Sequence, residues 1–181
     1  MDDIGAAVGM SGPGLYRHFP GKTAVLTEML VRISEQLLAE GGTRVTGAAD
    51  APAALDALLR GHIAFALGQP DLITVHDREL GNIPETQRRR IRRLQRLYVE
   101  EWVTVLTELF PHAPQPRLRA AVHAAFGLLN STPHRVGDVP DAEMAQLLYA
   151  MAHASLMSAG GPSAAGAGPL PSHLSGAPTA R

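Results

Sequence analysis

Residues 11–22, SGPGLYRHFPGK, concentrate side chains that can bind a nucleic acid. Tyr16, His18 and Lys22 can each give a hydrogen bond or an ion pair to a phosphate oxygen. Lys22 also stands at the predicted start of a helix, where free backbone N–H groups favour an anion. Arg17 can read a guanine edge, because its guanidinium donates two parallel hydrogen bonds. These residue types therefore predict contact with the phosphates and base edges of a duplex.

Small residues in the same stretch shape the helix that would carry those side chains. Ser11 is a suitable N-cap for a short helix. Gly12 and Gly14 would let that helix come close to the bases, so that DNA shape or bound water would carry part of the specificity. A preceding helix over residues 2–8 completes a helix-turn-helix, in which the second helix lies in the major groove.

The segment DDIGAAVGMSGPGLYRHFPGKTAVLTEML resembles the DNA-binding segment of the TetR family of bacterial transcriptional regulators. The shared pattern is Asp-x-Ile-x-x-x-x-Gly-x-Ser, then Leu-Tyr-x-His-Phe, then lysine followed by leucine. The resemblance implies that residues 11–19 form the recognition helix and that Tyr16, His18 and Lys22 contact phosphates. It also implies a helical ligand-binding domain, a small-molecule effector, a double-stranded DNA operator and a homodimer formed through the last two helices.

This sequence departs from the family pattern at its beginning. Family members start with a first helix that packs on the other two and with a basic arm, whereas this chain starts at Met1 inside the second helix. We expect that the start codon has been assigned downstream of the natural one. The alternative is a dimeric ligand- or partner-binding module that has lost DNA binding together with its first helix. Coding sequence in frame upstream of Met1 would distinguish the two.

Polar and aromatic residues in the middle of the chain are candidates for a ligand site. His76 and Glu79 lie at a helix end beside the longest predicted helix, although capping and ion pairing are the preferred interpretation. They could also share a metal ion, but the sequence places no third ligand near them. Tyr98 and Trp102 could line an apolar cavity, although aromatic residues at helical spacing are typical of a core.

A third group stands on an apolar helix near the end of the chain. His123, Phe126 and Asn130 lie in the stretch HAAFGLLN. Buried histidine and asparagine side chains need hydrogen-bond partners, which either a subunit interface or a ligand could supply. The interface is the preferred interpretation, and the lining of a ligand pocket is the alternative.

The run QRRRIRRLQR places six arginines between Arg88 and Arg96. One interpretation is an anion site, for example for the phosphates of a coenzyme A thioester. The preferred interpretation is a solvated helix face, because Ile91 and Leu94 fall on the opposite side and charge runs on helices are usually exposed.

The elements that must position these residues are helices, because apolar residues recur at helical spacing and strand-like alternation is hard to find. The spacing predicts helices over residues 22–40, 51–69, 71–80, 84–110, 117–131 and 139–158, with Gly41 and Gly42 ending the first of these. We therefore predict an all-α fold with three parts. These are a partial helix-turn-helix DNA-binding domain over residues 1–45, a helical ligand-binding and dimerisation domain over 46–159, and a disordered tail over 160–181.

The composition excludes several functional classes. With 45% hydrophobic residues and a net charge of −1, the chain is typical of a globular protein and not of a binder driven by net positive charge. It has no cysteine. Its apolar stretches are short and no signal-peptide pattern is visible, so we expect a cytoplasmic protein without a membrane span. Catalytic and nucleotide-binding motifs are missing, so we predict that the protein is not an enzyme and has no cofactor or metal ion.

The resemblance and these patterns together predict a ligand-responsive transcriptional repressor. It would bind its operator as a homodimer and be released by a small apolar or amphipathic effector.

Overall fold

The computed structural model describes residues 21–134, 137 and 139–161. Within them the chain forms six α-helices and no strand, which confirms the prediction of an all-α fold. The helices are α1 (Lys22–Thr46), α2 (Ala51–Gly68), α3 (Pro70–Glu79), α4 (Glu85–Leu109), α5 (Gln115–Leu129) and α6 (Asp141–Met157). The predicted recognition helix, residues 11–19, and nearly all of the predicted tail lie outside the described residues. None of these six helices has the length and apolar character needed to cross a bilayer.

Capping residues and prolines place the helix starts close to where the sequence predicts them. The Asp50 side chain accepts a hydrogen bond from the Ala53 backbone N–H at 2.8 Å, which caps α2. Pro70 opens α3, and Pro84 immediately precedes α4. Proline suits these positions because the first backbone N–H groups of a helix have no partner within it.

The first helix is longer than predicted. α1 runs through Gly41 and Gly42 and ends only at Thr46, so the expectation that the glycines stop it was wrong. Gly41 is buried in the helix, and a Cβ atom there would lie 2.7 Å from Cε2 of Tyr98. The glycine therefore allows a close approach between α1 and α4, and packing in the folded chain outweighs the weak helix propensity of glycine.

Two apolar cores hold the helices together. The main core contains buried residues of α2, α4, α5 and α6, among them Leu58, Trp102, Leu106, Val122 and Leu156. The second core lies where the first half of α1 meets α3 and α4, and its buried residues are Leu26, Met29, Leu30, Val31, Leu72, Ile83 and Ile91. α1 is the helix that reaches from the second core to the edge of the main core, where Leu37 and Leu38 pack.

Candidate ligand-binding site

A cavity of about 260 Å³ lies between the two cores. Residues from α1 to α5 and Asn130, immediately after α5, line it. The apolar part of its wall consists of Ile33, Leu37, Phe65, Leu72, Ile73 and Val99. Because this wall draws on both cores, a molecule in the cavity would contact both halves of the described chain.

Three nearly parallel rings form the floor of the cavity. The ring centroids of His62 and Phe126 are 4.8 Å apart at an interplanar angle of 8°, and those of Tyr98 and Phe126 are 5.6 Å apart at 15°. Trp102 stands edge-on to Phe126, 5.1 Å away at 85°. Stacked and edge-to-face pairs are the favoured aromatic arrangements, so the four rings fix one another. We call His62, Tyr98 and Phe126 the aromatic floor.

Hydrogen bonds set the protonation pattern of the floor. His62 Nε2 lies 3.0 Å from Asn130 Oδ1, which can only accept, so Nε2 carries the proton and donates. His62 Nδ1 is then free to accept from the Tyr98 hydroxyl, 3.3 Å away. Asn130 thus orients His62, and His62 orients Tyr98.

Burial keeps both titratable groups of the floor neutral. It lowers the pKa of His62 to about 4, against the smaller opposite effect of the Asn130 hydrogen bond. Burial likewise raises the pKa of Tyr98 to about 12. At neutral pH the floor therefore offers hydrogen-bonding groups without charge.

A second polar chain lies at the edge of the cavity. The His76 Nδ1–H group donates to Asp77 Oδ1 at 3.1 Å. His76 Nε2 then accepts from the Gln95 side-chain amide at 2.6 Å. The bond between Gln95 and His76 joins α4 to α3 and orients Gln95, a cavity residue that was not among those predicted from the sequence.

The cavity gathers five of the seven residues predicted to bind a ligand, namely His76, Tyr98, His123, Phe126 and Asn130. Trp102 is fully buried behind the floor. Glu79 does not line the cavity, because it accepts hydrogen bonds from Lys22 and Asn82. For these two residues the structure agrees with the interpretations preferred above, a core position for Trp102 and pairing for Glu79. Contact of the other five with a ligand stays a prediction.

His62 is the central residue that sequence reasoning missed. It follows Leu58 and Leu59 by one helical turn and precedes Ile63, so it falls on the buried face of α2. A histidine on such a face must find hydrogen-bond partners, and this signal was readable in the sequence. Its hydrogen-bond partners could not be predicted from the sequence, because Tyr98 lies on α4 and Asn130 immediately follows α5.

Most residues predicted to bind DNA lie outside the described part of the chain. These are Ser11, Gly12, Gly14, Tyr16, Arg17 and His18. Lys22 is described, with a side chain 53% exposed and its Nζ 3.3 Å from Glu79 Oε1. A phosphate contact by Lys22 stays a prediction.

Most of the arginine run on α4 faces solvent, in agreement with the preferred interpretation. Ile91 is fully buried, whereas Arg89, Arg90, Arg92, Arg93 and Arg96 are exposed. Arg90 pairs with Glu35 of α1, and Glu85 pairs with Arg88 and Arg89. Within the described ranges, histidine and acidic side chains nowhere form a group of three or more suited to a metal ion.

Comparisons with known proteins agree with this architecture. The family model described as "Bacterial regulatory proteins, tetR family" matches residues 1–29, and "Tetracyclin repressor-like, C-terminal domain" matches residues 48–153. No curated protein matches the chain by sequence.

Two solved structures share the fold. A TetR-family transcriptional regulator from Bordetella parapertussis is 23% identical with a TM-score of 0.68, covering 82% of each chain. The TetR-family regulator PfmR from Thermus thermophilus is 19% identical with a TM-score of 0.67, covering 86% of each chain. The two family models together span most of the chain, and its helices follow the fold of these regulators. The chain therefore belongs to the TetR family of transcriptional regulators, which are DNA-binding proteins.

Proposed function

We propose that this regulator is a repressor that binds its operator as a homodimer and leaves it when a small apolar or amphipathic effector occupies the cavity. The observation that carries this proposal is the position of the cavity against α1. This helix begins inside the segment that matches the family's DNA-binding region. A ligand in the cavity would therefore touch the element that continues directly from that region.

Contacts along α1 support a mechanical link between the cavity and the DNA-binding segment. Ile33, Ser34 and Leu37 of α1 line the cavity. Eleven residues before Ile33, the first residue of α1, Lys22, pairs with Glu79 at the end of α3. An effector that separates α1 from α3 would shift the start of α1 and hence the spacing of the two recognition helices. It must bind the two arrangements with different affinities, or the equilibrium would not move.

The exposed faces of the last two helices support a homodimer. α6 exposes Leu147 and Met151, which are 49% and 48% accessible, with Ala150 and Ala154 on the same face. α5 exposes a row of small residues, Ala120, Ala124 and Gly127. Large side chains of one subunit can pack into the row of small residues of the other, and two helices from each subunit would form a four-helix bundle.

Regulators of this family are transcription factors, and we propose no catalytic activity or cofactor for this protein. Its proposed place of action is the cytoplasm.

Fluorescence anisotropy tests the DNA-binding part of the proposal. The protein is titrated against labelled DNA from its own upstream region and against a scrambled duplex, at two salt concentrations. We expect specific binding that weakens with salt at a slope of log affinity against log salt of about −4, if each half-site neutralises about two phosphates. Equal weak binding to both duplexes, retained when the coding sequence is extended upstream of Met1, would favour the partner-binding module instead.

Two substitutions separate a phosphate contact by Lys22 from its ion pair. Lys22→Gln removes the cation, whereas Glu79→Gln removes only its partner. We expect Lys22→Gln to weaken binding to both duplexes and to make the salt slope less steep by about 1 for each half-site. Glu79→Gln should leave the slope unchanged. An equal effect of the two substitutions would mean that Lys22 acts only through Glu79.

A further inference from the structure

A groove of about 310 Å³ adjoins the cavity between α4 and α5. Arg92 and Arg96 of α4 and Arg119 of α5 line it. Gln95, Val99 and His123 line both the groove and the cavity, so the two spaces share a wall. We call this space the arginine groove.

The arginine groove carries positive charge that its neighbours do not neutralise. Arg119 Nη2 donates hydrogen bonds to both carboxylate oxygens of Glu100, at 2.8 and 2.7 Å. Arg92 and Arg96 are exposed and have no ion-pair or hydrogen-bond partner among the described residues. They lie one turn apart on α4, so their guanidinium groups can meet the same anion. Guanidinium binds carboxylate, sulfonate and phosphate oxygens through paired hydrogen bonds.

The cavity, in contrast to the arginine groove, has no positively charged side chain among the described residues that line it. None of these described residues is lysine or arginine, and the only formally charged one is Asp77. Asp77 accepts the hydrogen bond of His76, and His62 and Tyr98 are neutral. An anionic group inside the cavity would lose its hydration without gaining a cationic partner, which is costly. An uncharged apolar or aromatic body fits the wall and the aromatic floor.

We propose that the effector is an anionic amphiphile whose uncharged body occupies the cavity and whose anionic head lies in the arginine groove against Arg92 and Arg96. This inference rests on the proposed function and deepens it by naming the chemical class of the ligand. The head leaves the body at the shared wall, beside Gln95 and His123. The bond from Gln95 to His76 holds that side chain at the boundary between the two spaces.

A pair of fluorescent probes with the same rings tests the division of the site. The anionic probe is 8-anilinonaphthalene-1-sulfonate, and the neutral one is N-phenyl-1-naphthylamine. Energy transfer from Trp102, the single tryptophan, requires a bound probe within transfer range of the aromatic floor, so its absence excludes binding there. We expect the anionic probe to bind the full chain more tightly than the neutral one, and added salt to weaken only the anionic probe.

Two double variants of α4 locate the anionic head. Arg92→Gln with Arg96→Gln should weaken the anionic probe by about tenfold and leave the neutral probe unchanged. Arg89→Gln with Arg93→Gln is the matched control, because it removes the same charge at the same spacing outside the groove. This control should change the affinity by less than about twofold. Equal weakening by both double variants would overturn the proposal, since only net charge would then attract the probe.

A third variant tests whether the uncharged body of the ligand lies in the cavity. Ser34→Phe fills the cavity from α1 without breaking a link between helices, because Ser34 Oγ donates only to the Leu30 carbonyl of its own helix. In a variant that keeps the wild-type circular dichroism, both probes should lose binding and energy transfer from Trp102. Unchanged binding in that variant would overturn the proposal. Should it fail to fold, the absence of energy transfer for both probes in the wild-type chain overturns the proposal.

The outcomes also separate this inference from the proposed function. If the neutral probe binds in the cavity as tightly as the anionic one, and loss of Arg92 and Arg96 changes neither affinity, the anionic head is wrong while the cavity still binds ligands. If neither probe reaches the floor, the role of the cavity in the proposed function is contradicted as well.

Discussion

His62 is neutral because the fold buries its side chain and gives it no charged partner. The ring lies against Phe126 and Tyr98, and its two nitrogens are used by Asn130 and the Tyr98 hydroxyl. A protonated imidazole would have to donate from both nitrogens, which would break the bond that Nδ1 accepts from Tyr98. Burial therefore favours the neutral form of His62 and outweighs the smaller opposite effect of the Asn130 hydrogen bond.

This arrangement makes stability depend on pH. The folded pKa of about 4 lies below the ordinary value of 6.5, so the unfolded chain binds more protons between these two values. Stability from His62 is therefore complete above about pH 6.5 and is lost as the pH falls toward 4, at about 1.4 kcal/mol per pH unit. Between pH 7 and pH 5 the expected loss from this residue is about 2 kcal/mol.

His62→Gln should remove that pH dependence. We expect the free energy of unfolding, measured by urea denaturation, to fall between pH 7 and pH 5 by about 2 kcal/mol less in the variant than in the wild type. His112→Gln, at an exposed position, controls for the loss of a histidine as such and should retain the wild-type fall. A His62→Gln variant with the full wild-type fall would mean that His62 is protonated in the folded chain.

At the scale of elements, α1 depends on two adjacent glycines that have different surroundings. A Cβ atom at Gly41 would press on the Tyr98 ring, whereas one at Gly42 would meet nothing within 4 Å. Both glycines weaken the helix relative to alanine by about 0.5–1 kcal/mol. Only at Gly41 does packing offset this loss of helix stability, because the glycine lets α1 lie close to α4 beside the aromatic floor.

The two glycines should therefore respond oppositely to alanine. Gly42→Ala should raise the free energy of unfolding by about 0.5–1 kcal/mol through helix propensity. Gly41→Ala gains the same propensity but displaces Tyr98, and overpacking costs about 1–3 kcal/mol, so we expect a net loss of stability. Urea denaturation of both variants measures the difference. Equal stabilisation by the two substitutions would show that α1 and α4 are not in close contact at Gly41.

At the scale of the whole molecule, the described chain leaves large apolar side chains exposed at two places. Leu147, Met151 and Met157 lie on α6, whereas Leu97 lies alone on α4. Single exposed apolar residues are common, but Leu147 and Met151 lie one turn apart on the same face of α6, and such a row indicates an interface. The row on α6 is therefore the surface that we expect a second subunit to cover.

Met151→Arg should break the dimer without unfolding the subunit. Its side chain is 48% exposed, so the folded subunit can accept the charge, whereas an apolar interface between two copies cannot. Sedimentation should give about twice the chain mass of 19.2 kDa for the wild type and the single mass for the variant, together with weaker operator binding. Leu97→Arg, exposed to 43% outside α5 and α6, is the matched control and should stay dimeric. A dimeric Met151→Arg protein would place the interface elsewhere.

The order and approximate bounds of the helices were predictable because they depend on local signals. Asp50 before α2, Pro84 before α4 and the apolar spacing within each helix act over a few residues along the chain. The end of α1 was not predictable in this way, because Gly41 stays helical for the sake of a contact with Tyr98, far away in sequence. The same limit hides the partners of His62, although its place on the buried face of α2 is readable in the sequence.

The sequence by itself determined the all-α class, the helix order and the family, because local periodicity and a short motif carry that information. Only the tertiary structure decided which polar residues share a cavity. It brought His62, Tyr98, Phe126 and Asn130 together from three parts of the chain, and it left Glu79 at a separate ion pair and Trp102 in the core. The physical reason is that helix periodicity fixes which face of a helix is buried, whereas packing between helices fixes which buried faces meet.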